Sequence, residues 1–170
     1  YRMAFAVTLL LPYVIVTGNF KLPKPKFLLL AALCGVIFSS DVAVWNIAIQ
    51  EPSATQASLL TNLSPVWVGI GSFFFLKVRP ATSFWIGTVV SLFGMITLVG
   101  FEFFVDLNFD KAFLFAVLSG ILYSIYLLIS KNVLSQVDVL SFMTISLTSS
   151  SIYLGILCYS QNEPFTGFTD

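Results

Sequence analysis

Residues 27–50 read FLLLAALCGVIFSSDVAVWNIAIQ, an apolar run with one charged side chain, Asp41. About 20 predominantly apolar residues in a helix suffice to cross the ~30 Å hydrocarbon layer of a bilayer. The run is continuous rather than alternating and too long for a barrel strand, so it predicts a transmembrane helix. Working outward, five further stretches share its character: Tyr1–Thr17, Ser53–Leu76, Ser83–Phe101, Ala112–Ser130 and Val139–Tyr159. The breaks between them, such as GNFKLPKPK, KVRPA and EFFVDLNFDK, carry nearly all the charge and much of the turn chemistry. Six such spans make the fold class an all-α integral membrane protein, a polytopic helical bundle. Composition points the same way, because the chain is 58% apolar and only 9% charged, with a mean hydropathy of +0.96. Soluble domains run near half apolar and a quarter charged.

What is missing narrows the chemistry. With no histidine in the chain, neither His-ligated zinc nor a Ser-His-Asp triad can be built from it. The two cysteines, Cys34 and Cys158, lie in apolar runs without CxxC spacing and read as packing residues. Lys plus Arg balance Asp plus Glu at 8 each. No basic block interleaved with aromatics suggests nucleic acid. No metal site and no cofactor is expected.

Successive connections alternate sides of the membrane, which sorts the cations. Lys21, Lys24, Lys26, Lys77, Arg79 and Lys131 fall on one side, while the other receives only Arg2 and Lys111. By the positive-inside rule, the connections at 18–26, 77–81 and 131–137 face the cytoplasm. Both ends then lie outside. The chain opens on Tyr1 with no charged region before it, so it reads as part of a longer protein whose other helices are expected partners, alongside the lipid bilayer. A cleaved signal peptide is the weaker reading of the first span, which ends at Gly18-Asn19-Phe20 without an A-x-A site.

Polar side chains inside a membrane are costly, and each asks for a reason. Counting from Phe27 at 1.5 Å per residue places Asp41 roughly 21 Å into the layer. It shares a helix face with Trp45, four residues on. Two roles stand open: a carboxylate that titrates protons or meets substrate in a cavity, or an interhelical hydrogen bond to a Ser, Asn or Tyr. Ala31, Gly35, Ser39 and Ala43 form a separate ladder of small residues suited to close packing. In the third span Ala54, Ser58, Thr61, Asn62, Pro65, Gly69 and Ser72 share one stripe. Pro65 cannot donate to the Thr61 carbonyl, which predicts a kink and a free acceptor beside the Asn62 amide. That stripe either lines a cavity or packs on a neighbouring helix. In the fifth span Ala112, Ala116, Gly120 and Ser124 repeat the ladder, with Ser119, Tyr123, Tyr126 and Ser130 on a partly adjacent face. The sixth carries Ser141, Thr144, Thr148, Ser151 and Gly155 on a stripe read as helix contact. Trp67 and Trp85 are assigned no role.

The stretch FSSDVAVWNIAIQEPSATQASLLTNLSPVWVGIGSFFFLKVRPATSFWIGTVVSLFGMITLVG, residues 38–100, resembles the EamA family of the drug/metabolite transporter superfamily. Three features carry the resemblance. A helix bearing Asp41 and Trp45 ends in a short turn, an A-x-L-L-x-N-L-x-P-V helix follows, and a charged turn leads into an I-G-x-x-x-S-L-x-G-M helix. One departure is Leu76-Lys77-Val78-Arg79-Pro80, where family members often carry a glutamate. The resemblance implies ten helices in two inverted five-helix repeats, with this chain covering roughly helices two to seven. Residues 1–101 would be a first repeat lacking its opening helix, 102–111 an extracytoplasmic linker, and 112–170 the start of the second repeat. It further implies a central cavity walled by the second, third and fifth spans, which favours Asp41, Trp45, Ser58, Asn62 and Tyr123. With Thr61 from the same stripe, these are the substrate-binding candidates.

The expected function is secondary transport of a small metabolite such as an amino acid, by export or as a permease, through alternating access. Pro65 would supply local deformability, and Asp41 is the candidate for proton coupling. The bacterial inner membrane is the location the resemblance implies. An intramembrane enzyme using Asp41 is the alternative; an aspartyl protease needs two facing carboxylates, and only Asp41 lies at membrane depth. A channel would be expected to carry a filter-like Gly-rich loop, which the chain lacks.

Overall fold

The computed structural model describes residues 2–18, 20–50, 63–75, 80–99 and 111–160. All regular structure among these residues is helical: α1 (Arg2–Val16), α2 (Pro25–Gln50), α3 (Ser64–Phe75), α4 (Thr82–Val99), α5 (Lys111–Leu134) and α6 (Val139–Ser160). Three of them are long and apolar enough to cross a membrane: α2, residues 113–134 of α5, and α6. α1 and residues 82–94 of α4 are shorter apolar helices. Of the expected third span, residues 53–62 and Leu76 lie outside the described residues.

Local chemistry sets the helix ends. Thr17 donates its hydroxyl to the Tyr13 carbonyl at 2.7 Å, and Gly18 then turns left-handed at φ 62°, ending α1 as a glycine after a helix commonly does. Pro25 opens α2, where a missing N–H costs nothing, and the Lys24 carbonyl accepts from Phe27 and Leu28 at 2.8 and 3.0 Å. Asp138 caps α6, its carboxylate accepting the Leu140 N–H at 3.1 Å. α5 runs one turn past the expected stop at Ser130, because Lys131 suits the negative end of a helix. Pro65 stands in the first turn of α3, a position proline tolerates. The predicted kink concerns its junction with 51–62, outside the described residues.

The chain divides into two compact units, Tyr1–Ser39 with Ile129–Asp170, and Ser40–Leu128. In the first, α1 packs on α6 and the opening part of α2 lies against α6. Ser149 donates its hydroxyl to the Ala32 carbonyl at 2.9 Å, and Ser150 to the Gly35 carbonyl at 2.7 Å. Ser39, on α2 itself, also donates to Gly35 at 2.7 Å. A Cβ at Gly35 would fall on the Ser146 carbonyl oxygen, so glycine is what lets the two backbones approach. Ala31, Cys34, Ser39, Ser146 and Ser150 are buried there, which places Ala31, Gly35 and Ser39 of the expected small-residue ladder in a tight contact, while Ala43 lies in the second unit. Lys21, just before α2, meets Ser141 at the start of α6, and Gly35 meets Ser146 and Ser150 further along both helices, so α2 and α6 run parallel.

In the second unit the closing part of α2 meets α5. Ala48 and Ala116 are fully buried, with Ile49, Leu63, Phe113 and Phe115 packed around them. Here the pairing runs in opposite senses, 41 with 119 and 48 with 116, so α2 and α5 are antiparallel. Both directions agree with helices that cross the membrane alternately. α3 meets α4 where Gly69 faces the Trp85 and Phe84 rings; a Cβ at Gly69 would come within 2.8 Å of Trp85.

Candidate functional site

Within the unit 40–128, two buried polar residues from different helices meet. Ser119 donates its hydroxyl to Oδ1 of Asp41 at 2.5 Å. Asp41 is 7% exposed and Ser119 fully buried. α2 positions the carboxylate mid-helix, where a charged form has no water to solvate it and depends on partners. α5 supplies the donor from the face beside its ladder of small residues, whose size lets the helices close on each other. Of the two roles open to Asp41 from sequence, the interhelical hydrogen bond is present in the structure. A carboxylate has about four lone-pair positions, and one serine hydroxyl fills only one of them. The pair therefore retains acceptor capacity for a second donor.

Aromatic side chains flank it. Trp45 lies one turn beyond Asp41 on α2 and Tyr123 one turn beyond Ser119 on α5; both are half-buried. The Tyr123 and Tyr126 rings sit 6.1 Å apart with planes tilted by 31°. Rings of this kind offer apolar surface together with a polar edge. The structure thus brings Asp41 to α5 and sets Trp45 and Tyr123 on the helices that carry the pair. Ser58, Thr61 and Asn62 lie outside the described residues.

Two residues were not nominated from sequence. Ser119 sat in a face of serines and tyrosines four residues before Tyr123, and that spacing was the only available signal. Trp67, on α3, holds its indole Nε1 buried and without a hydrogen-bond partner. A buried donor left unpaired costs about 1–3 kcal/mol, and nothing in the sequence around Trp67 announces it. Among the described residues no group of three or more His, Cys, Asp or Glu could hold a metal ion.

The model of the EamA-like transporter family matches residues 1–100. The chain belongs to this family. The EamA match covers α1 to α4 and includes Asp41 and Trp45, while Ser119 and Tyr123 lie beyond it. EamA proteins are membrane transporters of the drug/metabolite type rather than enzymes, and the protein is accordingly an integral membrane transporter. Comparison with curated proteins and with solved structures gives no match.

Proposed function

We propose that the protein moves a small polar or amphipathic metabolite, such as an amino acid, across the bacterial inner membrane by alternating access, with Asp41 in its substrate path. The observation that carries this reading is the Asp41–Ser119 pair, a buried carboxylate at membrane depth whose acceptor capacity one hydroxyl does not exhaust. A substrate ammonium group is the natural second donor, since a charge-assisted hydrogen bond is about twice as strong as a neutral one. Trp45 and Tyr123 would hold the apolar part of the same molecule. Ser58, Thr61 and Asn62 would add donors and acceptors from the third span, and Pro65 would let that span deform. Proton coupling enters through the same carboxylate, which exchanges its proton when the substrate leaves.

The family match ends at residue 100, which supports dividing the chain into a first repeat at 1–101, a linker at 102–111 and the start of a second repeat from 112. In that division the Asp41–Ser119 bond joins the two repeats, and rocking one repeat against the other would break and remake it. The cation count supports the connections at 18–26, 77–81 and 131–137 as cytoplasmic.

The test is thermal stabilisation of the complete protein in detergent by a panel of amino acids, nucleobases and other metabolites. A bound solute stabilises in proportion to the logarithm of its concentration over Kd. The expected result is an amine-bearing solute that stabilises wild type and fails to stabilise Asp41→Asn and Asn62→Ala. A solute that stabilises all three equally removes Asp41 and Asn62 from the site.

A further inference from the structure

In the unit formed by 1–39 and 129–170, a groove of about 590 Å³ opens between α1, α2 and α6. Leu11, Phe20, Val36, Ile145, Ile152 and Ile156 give it an apolar lining. Along α6 it extends from Thr144 to Ile156, a rise of roughly 18 Å. Half of the hydrocarbon layer is about 15 Å thick, so the groove matches the depth of one leaflet.

Its Phe20 end has a distinct chemistry. Lys21, Lys24 and Lys26 follow directly and are all exposed. The backbone N–H of Lys21 donates to the Ser141 hydroxyl at 3.1 Å, and Ser141 lies one turn before the groove residue Thr144 on α6. The lysine segment is therefore tied to the mouth of the groove rather than hanging free of it. An apolar slot one leaflet deep, with three cations at the end that the charge distribution assigns to the cytoplasm, has the outline of a phospholipid.

We infer that the groove between α1, α2 and α6 binds an anionic phospholipid of the cytoplasmic leaflet, one acyl chain lying along Val36 and Ile152 and the headgroup phosphate facing Lys21, Lys24 and Lys26. The proposal rests on the orientation given above and is independent of the transported solute. Selectivity comes from the headgroup, because an acyl chain is surrounded by hydrocarbon in the bulk lipid as well, and moving it into the groove gains only packing. Each lysine near an anionic surface contributes about fivefold in affinity. Together the three should separate anionic from zwitterionic lipid by at least about tenfold.

The experiment is native mass spectrometry and thermal stabilisation of the complete protein in detergent, titrated with phosphatidylglycerol, with phosphatidylcholine of the same acyl chains, and with glycerol phosphate. The expected result is retention of phosphatidylglycerol at about tenfold lower concentration than phosphatidylcholine, with no effect of glycerol phosphate. The triple variant Lys21→Gln, Lys24→Gln, Lys26→Gln should bring the two lipids level while leaving phosphatidylcholine retention unchanged. Ile152→Trp fills the groove from its exposed side and should weaken both lipids. Equal retention of the two lipids by wild type overturns the proposal, as does unchanged phosphatidylglycerol retention in Ile152→Trp. Stabilisation by glycerol phosphate alone would mark an anion site without the groove, and a lipid-free dimer would give the groove to a second copy; either result overturns it too.

Discussion

The two halves of α2 spend their polar groups differently. Before residue 40, hydroxyls from Ser39, Ser149 and Ser150 all donate to backbone carbonyls, at Gly35 and Ala32. After it, the Ser119 hydroxyl donates to a side-chain carboxylate at Asp41. A backbone carbonyl stays where the helix puts it, so the first half is held by bonds that define spacing. A carboxylate can exchange its partner or its proton without moving the helix, so the second half is held by a bond that chemistry can replace. One helix in this way carries both hydroxyl bonds that fix its spacing to a neighbour and a carboxylate bond that another donor could replace.

The difference can be broken most severely at Gly35. Gly35→Val drives a side chain into the Ser146 carbonyl and should cost roughly 3 kcal/mol or prevent assembly; denaturant unfolding in micelles measures it. A stability near wild type would mean that α2 and α6 are not in close contact. Next comes Ser119→Ala, which leaves the buried Asp41 without the donor it has in this structure, at a cost of about 2 kcal/mol by the same measurement. Ser150→Ala should cost only about 0.6 kcal/mol, the usual size of an interhelical hydrogen bond in a membrane. Gly35 keeps the Ser39 hydroxyl after that change. Smallest of all is Asp41→Asn, within about 0.5 kcal/mol of wild type, because the amide oxygen still accepts from Ser119. Its effect should fall on solute binding, which Ser150→Ala leaves intact. If Asp41→Asn and Ser150→Ala behaved alike in both assays, the contrast between the two halves of α2 would collapse.

Much of this was legible beforehand for a simple physical reason. Without water, a chain has to satisfy its backbone internally, so a continuous apolar run such as 27–50 has one structural outcome. α2 and α6 accordingly end where expected, to within a residue, at Gln50 and Ser160. Charge was a poorer guide to helix ends: Lys131 and Asn132 looked like a connection, yet both continue α5 to Leu134, since long cationic side chains reach the interface from the last turn. α1 stops at Val16, one residue before the expected Thr17. In the site, Asp41 stood out because a carboxylate at that depth needs a reason. Ser119 does not, because a serine on a face shared with Tyr123, Tyr126 and Ser130 has the same sequence signature whether it packs or donates. Ser146, Ser149 and Ser150 hid likewise: the stripe read from 141 to 155 ran through Thr148 and Ser151, whereas the contact with Gly35 and Ala32 is made by their neighbours.

The close approach at Gly35 has a consequence for variation along α2. On the face around Gly35, the helix accepts or rejects a substitution by its volume, and a small polar residue such as Ser39 passes where a larger apolar one fails. At Asp41 what decides is instead what the side chain can accept or donate, and there an isosteric amide and a carboxylate part company. A library of single substitutions across 27–50, sorted once for expression and once for solute binding, would therefore change its alphabet midway along a single unbroken helix.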